Sequence, residues 1–154
     1  MITAYRIVKT KWAKHAFDGE GARLYGGRWN SKGQACVYLA SSESLAILEI
    51  LVHLDNSDTL DSYTLFTLEI NPEDIMELNH EFLPECWQSD PAPSETAEIG
   101  DDWLKSNSSL ALKIPSTIVT REANYLINIK HINFSKLLSS KVKLDFQFDN
   151  RLIK

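Results

Sequence analysis

One apolar segment in the first half of the chain constrains the fold most. Residues 45–54 consist of leucine, isoleucine, alanine and valine, interrupted only by Glu49 and His53. Ser41 or Ser42 is placed to cap a helix that runs to the end of this segment. A helix that is apolar on all sides is normally buried on most of its faces. The sequence therefore predicts a core packed around this helix, with one carboxylate in its middle.

Glu49 is the informative residue of this helix. Burying an unpaired carboxylate is costly, so the group must be paired, protonated or open to a cavity or to solvent. His53 lies one helical turn later and is a candidate partner. A solvent-facing side is a second explanation, and a carboxylate facing a ligand cavity is the third. The residues alone leave these interpretations open.

Glycine is concentrated in one stretch of the chain. Five of the six glycines fall within residues 19–33, which also contain Arg28 beside Trp29. The stretch is typical of hairpin turns, because glycine adopts backbone conformations that other residues avoid. Arg28 could hold a phosphate through two parallel hydrogen bonds, or it could lie on the surface and stack on Trp29.

Three other polar side chains are candidate site residues. Tyr38 lies in a predicted strand that leads to the Glu49 helix, where it could stack on a planar ligand or pack in the core. Ser116 follows a proline at a strand edge, and its hydroxyl could bind a ligand or cap a turn. Asn124 could line the same pocket or only satisfy local backbone groups.

The remaining pattern predicts one domain over residues 1–154 with an α+β fold, few helices and a mainly antiparallel or mixed sheet. Strands outnumber helices and do not alternate regularly with them. The predicted strands are residues 5–8, 37–40, 62–70, 111–114, 117–120, 125–127 and 142–148. The other predicted helices are residues 101–106 and 134–138, and residues 89–98 are predicted to form a surface loop.

Charge and composition disfavour several classes of function. The net charge of −5 disfavours direct nucleic-acid binding, because a phosphate backbone requires a basic face. No apolar segment is long enough to span a membrane and no secretory signal opens the chain, so we expect a soluble cytoplasmic protein. Cys36 and Cys86 are expected to be free thiols. The four histidines are scattered, and no metal site is expected.

Several short motifs occur together in a specific order. They are GGRWN at 26–30, VYLA at 37–40, AILEILVH at 46–53, IPS at 114–116, NYLIN at 124–128 and FDNRL at 148–152. With these blocks in this order the chain resembles the RES-domain family, which is named for its Arg, Glu and Ser residues and whose members are typically toxins of bacterial toxin–antitoxin pairs. The family's opening arginine aligns with Arg6, and nothing between residues 80 and 110 supports the resemblance.

The resemblance implies a fold similar to diphtheria-toxin-like ADP-ribosyltransferases and NAD as the substrate, with no metal. Family members break the nicotinamide–ribose bond by hydrolysis or phosphorolysis. By resemblance, Arg28 would hold the NAD phosphates, Tyr38 would stack beside nicotinamide, and Glu49 would stabilise the positive charge on ribose. Ser116 and Asn124 would complete the pocket. The implied partner is an Xre-type helix-turn-helix antitoxin, and the toxin could be a homo-oligomer within that complex.

Three other functions stay open at the level of sequence. The chain could transfer ADP-ribose to one particular protein, with loss of free NAD as a side reaction. It could be a non-catalytic module that binds the antitoxin. Direct cleavage of nucleic acid is the third, and it is disfavoured because no metal-binding or histidine-based acid–base set is present.

Overall fold

A seven-stranded mixed sheet organises the chain. The computed structural model describes residues 1–54 and 62–152. Among the described strands the order is β4-β5-β6-β2-β1-β3-β7, and only β4 and β5 run parallel. The strands are β1 (Ile2–Lys9), β2 (Val37–Ala40), β3 (Tyr63–Ile70), β4 (Ile75–Glu77), β5 (Ala111–Pro115), β6 (Ala123–Ile127) and β7 (Val142–Leu144). The helices are α1 (Glu20–Tyr25), α2 (Glu43–His53), α3 (Ser94–Ser106) and α4 (Phe134–Ser139). The predicted α+β class with a mixed sheet and few helices is confirmed.

The ladder between β1 and β3 separates two parts of the core. Eight consecutive residue pairs join these strands in antiparallel register. Because neighbouring side chains on a strand point to opposite faces, the pair Ala4 and Leu68 enters one apolar cluster and the pair Ile7 and Leu65 enters another. The sheet is therefore covered on both faces, and α2 lies on the face of Ile7.

Helix α2 has the predicted length but not the predicted burial. Its cap is Ser42, whose Oγ accepts a hydrogen bond from the Leu45 amide at 3.0 Å. Leu45 and Ala46 are buried, whereas 58% of Val52 is exposed. The expectation of a helix buried on most faces is wrong, because α2 packs with one side on β1 and β2 and leaves its other side open.

Residues 117–120 do not form the predicted strand. They form a turn that begins at Ser116, whose hydroxyl accepts hydrogen bonds from the amides of Ile118 and Val119, both at 3.1 Å. A side chain that satisfies backbone donors in this way competes with strand pairing. The β-branched residues of this segment suggested a strand, but the serine that precedes them ends β5 and starts the turn.

The last strand is shorter than predicted. β7 ends at Leu144, whereas the sequence predicted a strand to residue 148. Phe148 leaves the sheet edge and packs edge-on against Tyr63, with ring centroids 5.1 Å apart. The chain after Leu144 therefore buries the Phe148 ring and does not continue to pair with β3.

Helix α3 is the largest departure from prediction. The sequence predicted a surface loop over 89–98 and a short helix over 101–106, but a single helix runs from Ser94 to Ser106. Its buried face consists of Thr96, Gly100 and Trp103, which are spaced at one helical turn. Thr96 is polar and Gly100 has no side chain. The helical spacing of the buried positions therefore does not show as a spacing of apolar residues in the sequence.

Gly100 brings the backbone of α3 against the backbone of the glycine-rich stretch. A Cβ atom at Gly100 would lie 1.6 Å from the carbonyl oxygen of Trp29, a distance no real contact allows. The helix and the Trp29 main chain therefore meet only because residue 100 has no side chain. No helix among the described residues is long and apolar enough to cross a membrane.

The contact at Gly100 leads to a stability prediction. Gly100→Ala should lower the free energy of unfolding in urea by about 1–3 kcal/mol, because the added methyl group forces the helix away from Trp29. The matched control is Gly21→Ala in α1, where a Cβ atom would meet nothing within 4 Å. That variant should be unchanged or more stable by up to about 1 kcal/mol. Equal stability of the two variants would refute the proposed close contact.

Candidate active site

A cavity opens where β1 and β2 separate. Among the described residues these strands are paired at one position, Tyr5 opposite Ala40. The cavity beside this point has a volume of about 990 Å³ and is lined by residues of β1, β2, α1, α2, the segment before α3 and the turn after β5. This volume is at the upper end of the range for small-molecule sites, about 300–1,000 Å³. The site is therefore large enough for a dinucleotide-sized ligand.

Glu49 lines this cavity from α2. Its Oε1 accepts a hydrogen bond from the side-chain amide of Asn124 at 2.9 Å. Asn124 lies on β6 directly opposite Ala40, and it also lines the cavity. The partner is thus Asn124 and not His53. An amide donor fixes one carboxylate oxygen without neutralising its charge, and within the described residues Oε2 has no hydrogen-bond partner.

Arg28 lies on another wall of the cavity and does not stack on Trp29. Its Nη1 donates hydrogen bonds to the carbonyl oxygens of Trp87 and Ser89, both at 2.8 Å. The Trp29 ring is buried in an apolar cluster that also contains Trp103. The alternative of a surface arginine stacked on Trp29 is therefore wrong.

The Tyr38 ring lines the cavity while its hydroxyl is occupied. The hydroxyl donates to Oδ1 of Asn30 at 2.6 Å and accepts from the Trp29 amide at 3.2 Å. Burial raises the pKa of Tyr38 well above its ordinary value, so the phenol stays neutral. The Tyr38 hydroxyl is thus fixed inside the protein and the residue belongs to the cavity lining, while its stacking on a planar ligand stays a prediction.

Asn30 is a structural centre of the site that the sequence reasoning missed. It is 1% exposed, and its side-chain amide donates to the carbonyl oxygens of Ala22, Ser31 and Gln34 at 2.9, 3.3 and 3.1 Å. These contacts join α1 to the loop that carries Arg28. The only signal in the sequence is an asparagine in a glycine-rich stretch, where its side chain can replace backbone hydrogen bonds.

Arg6 places a second guanidinium group in the cavity. Its Nε donates to the Ala16 carbonyl at 2.7 Å and its Nη1 to the Tyr38 carbonyl at 3.0 Å. Burial lowers the pKa of Arg6 to about 10, so the group stays cationic at neutral pH. The Tyr38 carbonyl belongs to β2 at the point where β1 has separated from it. Arg6 therefore satisfies a strand carbonyl that the sheet does not.

Ser116 is not brought into the cavity. It is fully buried, and its hydroxyl is occupied by the two amides of the turn after β5. Thr117 and Ile118, which follow it, do line the cavity. Ser116 thus supports the cavity wall through the turn, and the structure does not place its hydroxyl toward a ligand.

The cavity lining combines the guanidinium-bearing Arg6 and Arg28 with Tyr38 and with Glu49, whose Oε2 has no hydrogen-bond partner among the described residues; the carboxylates of Asp18, Glu20 and Asp90 lie elsewhere in the lining. Guanidinium groups bind phosphate oxygens through paired hydrogen bonds. A fixed carboxylate stabilises positive charge that develops on a bound ligand. The cavity is suited to a ligand that has an anionic centre and, at some distance from it, a carbon that becomes electron-deficient.

Known proteins share this fold and sequence. The solved M. tuberculosis MbcT–MbcA toxin–antitoxin complex contains a chain with a TM-score of 0.71 to this one at 20% identity, covering 92% of this chain and 83% of that one, a likeness in fold. The Prs ADP-ribosylating toxin of a Sphingobium species is 35% identical, covering 100% of this chain and 99% of that toxin. The protein called Toxin Res of Yersinia enterocolitica is 51% identical, covering 96% of this chain and 97% of that toxin. The model of the RES domain matches residues 3–149. The chain therefore belongs to the RES-domain family of toxins.

Proposed function

We propose that this toxin cleaves the nicotinamide–ribose bond of NAD. The observation that carries the proposal is the state of Glu49, a residue of the cavity lining whose Oε1 is held by Asn124 at 2.9 Å and whose Oε2 has no hydrogen-bond partner in residues 1–54 and 62–152. Arg6 and Arg28 line the same cavity. One cavity thus offers a carboxylate for the ribose and guanidinium groups for the pyrophosphate.

The chemistry requires stabilisation of positive charge more than proton transfer. Nicotinamide in NAD is a cationic leaving group, so the C1′–N bond breaks with its electron pair going to nicotinamide, which departs neutral. The ribose carbon then has oxocarbenium character, as in glycoside cleavage by carboxylates. Glu49 is proposed to stabilise this charge, a role worth about 3 kcal/mol for one preorganised electrostatic partner. The oxygen of an acceptor, either water or phosphate, forms the new bond to C1′ and loses its proton to solvent.

The two arginines are proposed to hold the pyrophosphate. Its two negative charges match the two guanidinium groups of Arg6 and Arg28. Among the described residues, the hydrogen bonds of both side chains go to backbone carbonyl oxygens and not to carboxylates, which leaves their charges without a directly bonded counterion there. Tyr38 contributes its ring, which can lie against the nicotinamide.

The partner is proposed to be an Xre-type antitoxin acting in the cytoplasm. The solved complex that shares this fold contains a toxin and its antitoxin. The rim of the cavity in this chain includes exposed apolar side chains, Tyr25 at 78% and Val52 at 58%. Exposed aromatic and aliphatic groups around a cavity favour coverage by another protein.

Transfer of ADP-ribose to a protein is the second candidate function. It is favoured by the 35% identical relative that is named as an ADP-ribosylating toxin. The same cavity and the same carboxylate would serve that reaction, with a side chain of the target as the acceptor. A binding-only role is disfavoured because Arg28, Tyr38 and Glu49 line one cavity in a form suited to chemistry.

Glu49→Gln tests the assigned role of the carboxylate. The variant should keep its fold and its affinity for NAD but release nicotinamide at least about 100-fold more slowly, because the neutral amide cannot stabilise the oxocarbenium charge. Nicotinamide release is measured by chromatography on the purified chain, with circular dichroism as the check on folding. Undiminished release by the variant would exclude Glu49 from the reaction.

The same assay separates the acceptors. Release with and without inorganic phosphate distinguishes phosphorolysis from hydrolysis. Radiolabelled NAD added to a cell lysate reports protein transfer as one dominant labelled band. If the wild-type chain neither releases nicotinamide nor labels a protein, the proposed function is wrong and a binding-only role gains support.

Arg28→Ala tests the phosphate site. The variant should bind ADP-ribose about 10- to 100-fold more weakly by isothermal titration calorimetry, the usual effect of losing hydrogen bonds to a charged group. Arg121→Ala is the matched control, since Arg121 is exposed and does not line the cavity. A control that weakens binding as much as Arg28→Ala would mean that the effect is only one of net charge.

A further inference from the structure

The segment from 80 to 110, which contains none of the short matching sequence blocks, forms a support for Arg28. Three positions of α3 contact the stretch that carries this arginine. The Thr96 hydroxyl donates to the Arg28 carbonyl at 2.6 Å, the Gly100 backbone lies against the Trp29 carbonyl, and Asp101 Oδ1 accepts from the Ser31 amide at 2.9 Å. One helix therefore holds the main chain at Arg28 and over the three residues that follow it.

The loop before α3 holds the side chain of the same arginine. The two protons of Arg28 Nη1 are donated to the carbonyl oxygens of Trp87 and Ser89, both at 2.8 Å. This loop is attached to α3 by a hydrogen bond from the Cys86 thiol to Glu95 Oε2 at 2.8 Å. Main chain and side chain of Arg28 are thus both fixed by α3 and the segment that leads into it.

The remaining nitrogens of Arg28 form one free edge. Within residues 1–54 and 62–152, no hydrogen bond uses Nε or Nη2 of this side chain. These two nitrogens present parallel N–H groups, the geometry that matches two oxygens of a phosphate. Since Nη1 is fully occupied, the Nε and Nη2 edge is the one that a ligand can meet.

We propose that Thr96 is a positioning residue that sets the edge of Arg28 presented to a pyrophosphate. The inference rests on the proposed NAD-binding function. Thr96 is fully buried and is not part of the cavity lining, so it cannot touch the ligand itself. Its hydroxyl donates to the Arg28 carbonyl, and the Pro93 carbonyl lies within 3.2 Å as a second acceptor. Removal of the hydroxyl leaves the Arg28 carbonyl without this donor, and the main chain that aims the guanidinium group is released.

Thr96→Val tests this role with almost no change in shape, and Thr96→Ser restores the hydroxyl. The expected result for Thr96→Val is a KM for NAD and a Kd for ADP-ribose that each rise about tenfold, with kcat changed less than twofold. Phosphate contacts act equally in ground state and transition state, so their loss appears in KM and not in kcat. Thr96→Ser should bind close to wild type.

Two further variants separate positioning from general destabilisation. Thr64→Val removes a buried threonine hydroxyl that pairs with Thr10 at 2.9 Å on β3, away from the cavity. It should leave KM and Kd unchanged. In the Arg28→Ala background, Thr96→Val should cause no further loss of ADP-ribose affinity, because two residues that act through one contact are not additive.

Each outcome decides the proposal. An unchanged Kd in Thr96→Val overturns it, and so does an additive loss in the double variant, which would make Thr96 merely structural. A failure of the proposed NAD-cleaving function can be told apart from a failure of this inference. In the first case the wild-type protein itself would neither bind ADP-ribose nor release nicotinamide. Calorimetry on ADP-ribose keeps the test of Thr96 independent of turnover.

Discussion

The separation of β1 from β2 is the constraint on which the site depends. A continuous ladder between these strands would leave no cavity and would satisfy the Tyr38 carbonyl from the neighbouring strand. Here the strands are paired at Tyr5 and Ala40 only, among the residues described, and Arg6 donates to that carbonyl in place of a strand amide. One side chain thus meets the hydrogen-bonding need of the opened sheet and places a cation in the opening. The energetic cost of burying a guanidinium group is offset because two backbone carbonyl oxygens accept from it.

The glycines of residues 19–33 allow close packing of the main chain as well as turns. Two of these glycines have positive φ angles beside α1, at Gly19 and Gly26, as a turn requires. Gly27 has a different function, since a Cβ atom there would lie 2.8 Å from the Tyr38 hydroxyl oxygen. On the other side, Gly100 of α3 allows contact with the Trp29 carbonyl. The Arg28 segment is therefore packed between Tyr38 and α3, and this is the physical origin of its fixed geometry.

The sequence was informative where local signals decide structure and silent where tertiary contacts do. Ser42 and the apolar run after it predicted α2, and the isolated carboxylate of Glu49 indicated a group that needs a partner, a cavity or solvent. Its partner could not be predicted, because Asn124 comes from a strand 75 residues away. Helix α3 was hidden because Thr96 and Gly100 make up much of its buried face. For Ser116 the sequence left open a ligand contact or a turn cap, and in the structure its Oγ accepts hydrogen bonds from two amides of the turn after β5.

Two titratable groups of the cavity lining, Cys36 and Tyr38, are weak acids, which is compatible with a leaving group that needs no proton. Burial raises the pKa of the Cys36 thiol to about 12 and that of Tyr38 well above its ordinary value, so both keep their protons at neutral pH. The Tyr38 proton is also committed to Asn30. Cleavage of an ether-linked glycoside requires an acid to protonate the departing oxygen, and neither of these groups is suited to that role. In the proposed reaction a cationic nicotinamide departs without protonation, and the demand on the protein is reduced to an anion beside the ribose carbon. Glu49, whose Oε1 is held by Asn124 and whose Oε2 has no hydrogen-bond partner among the described residues, is the group proposed to meet that demand.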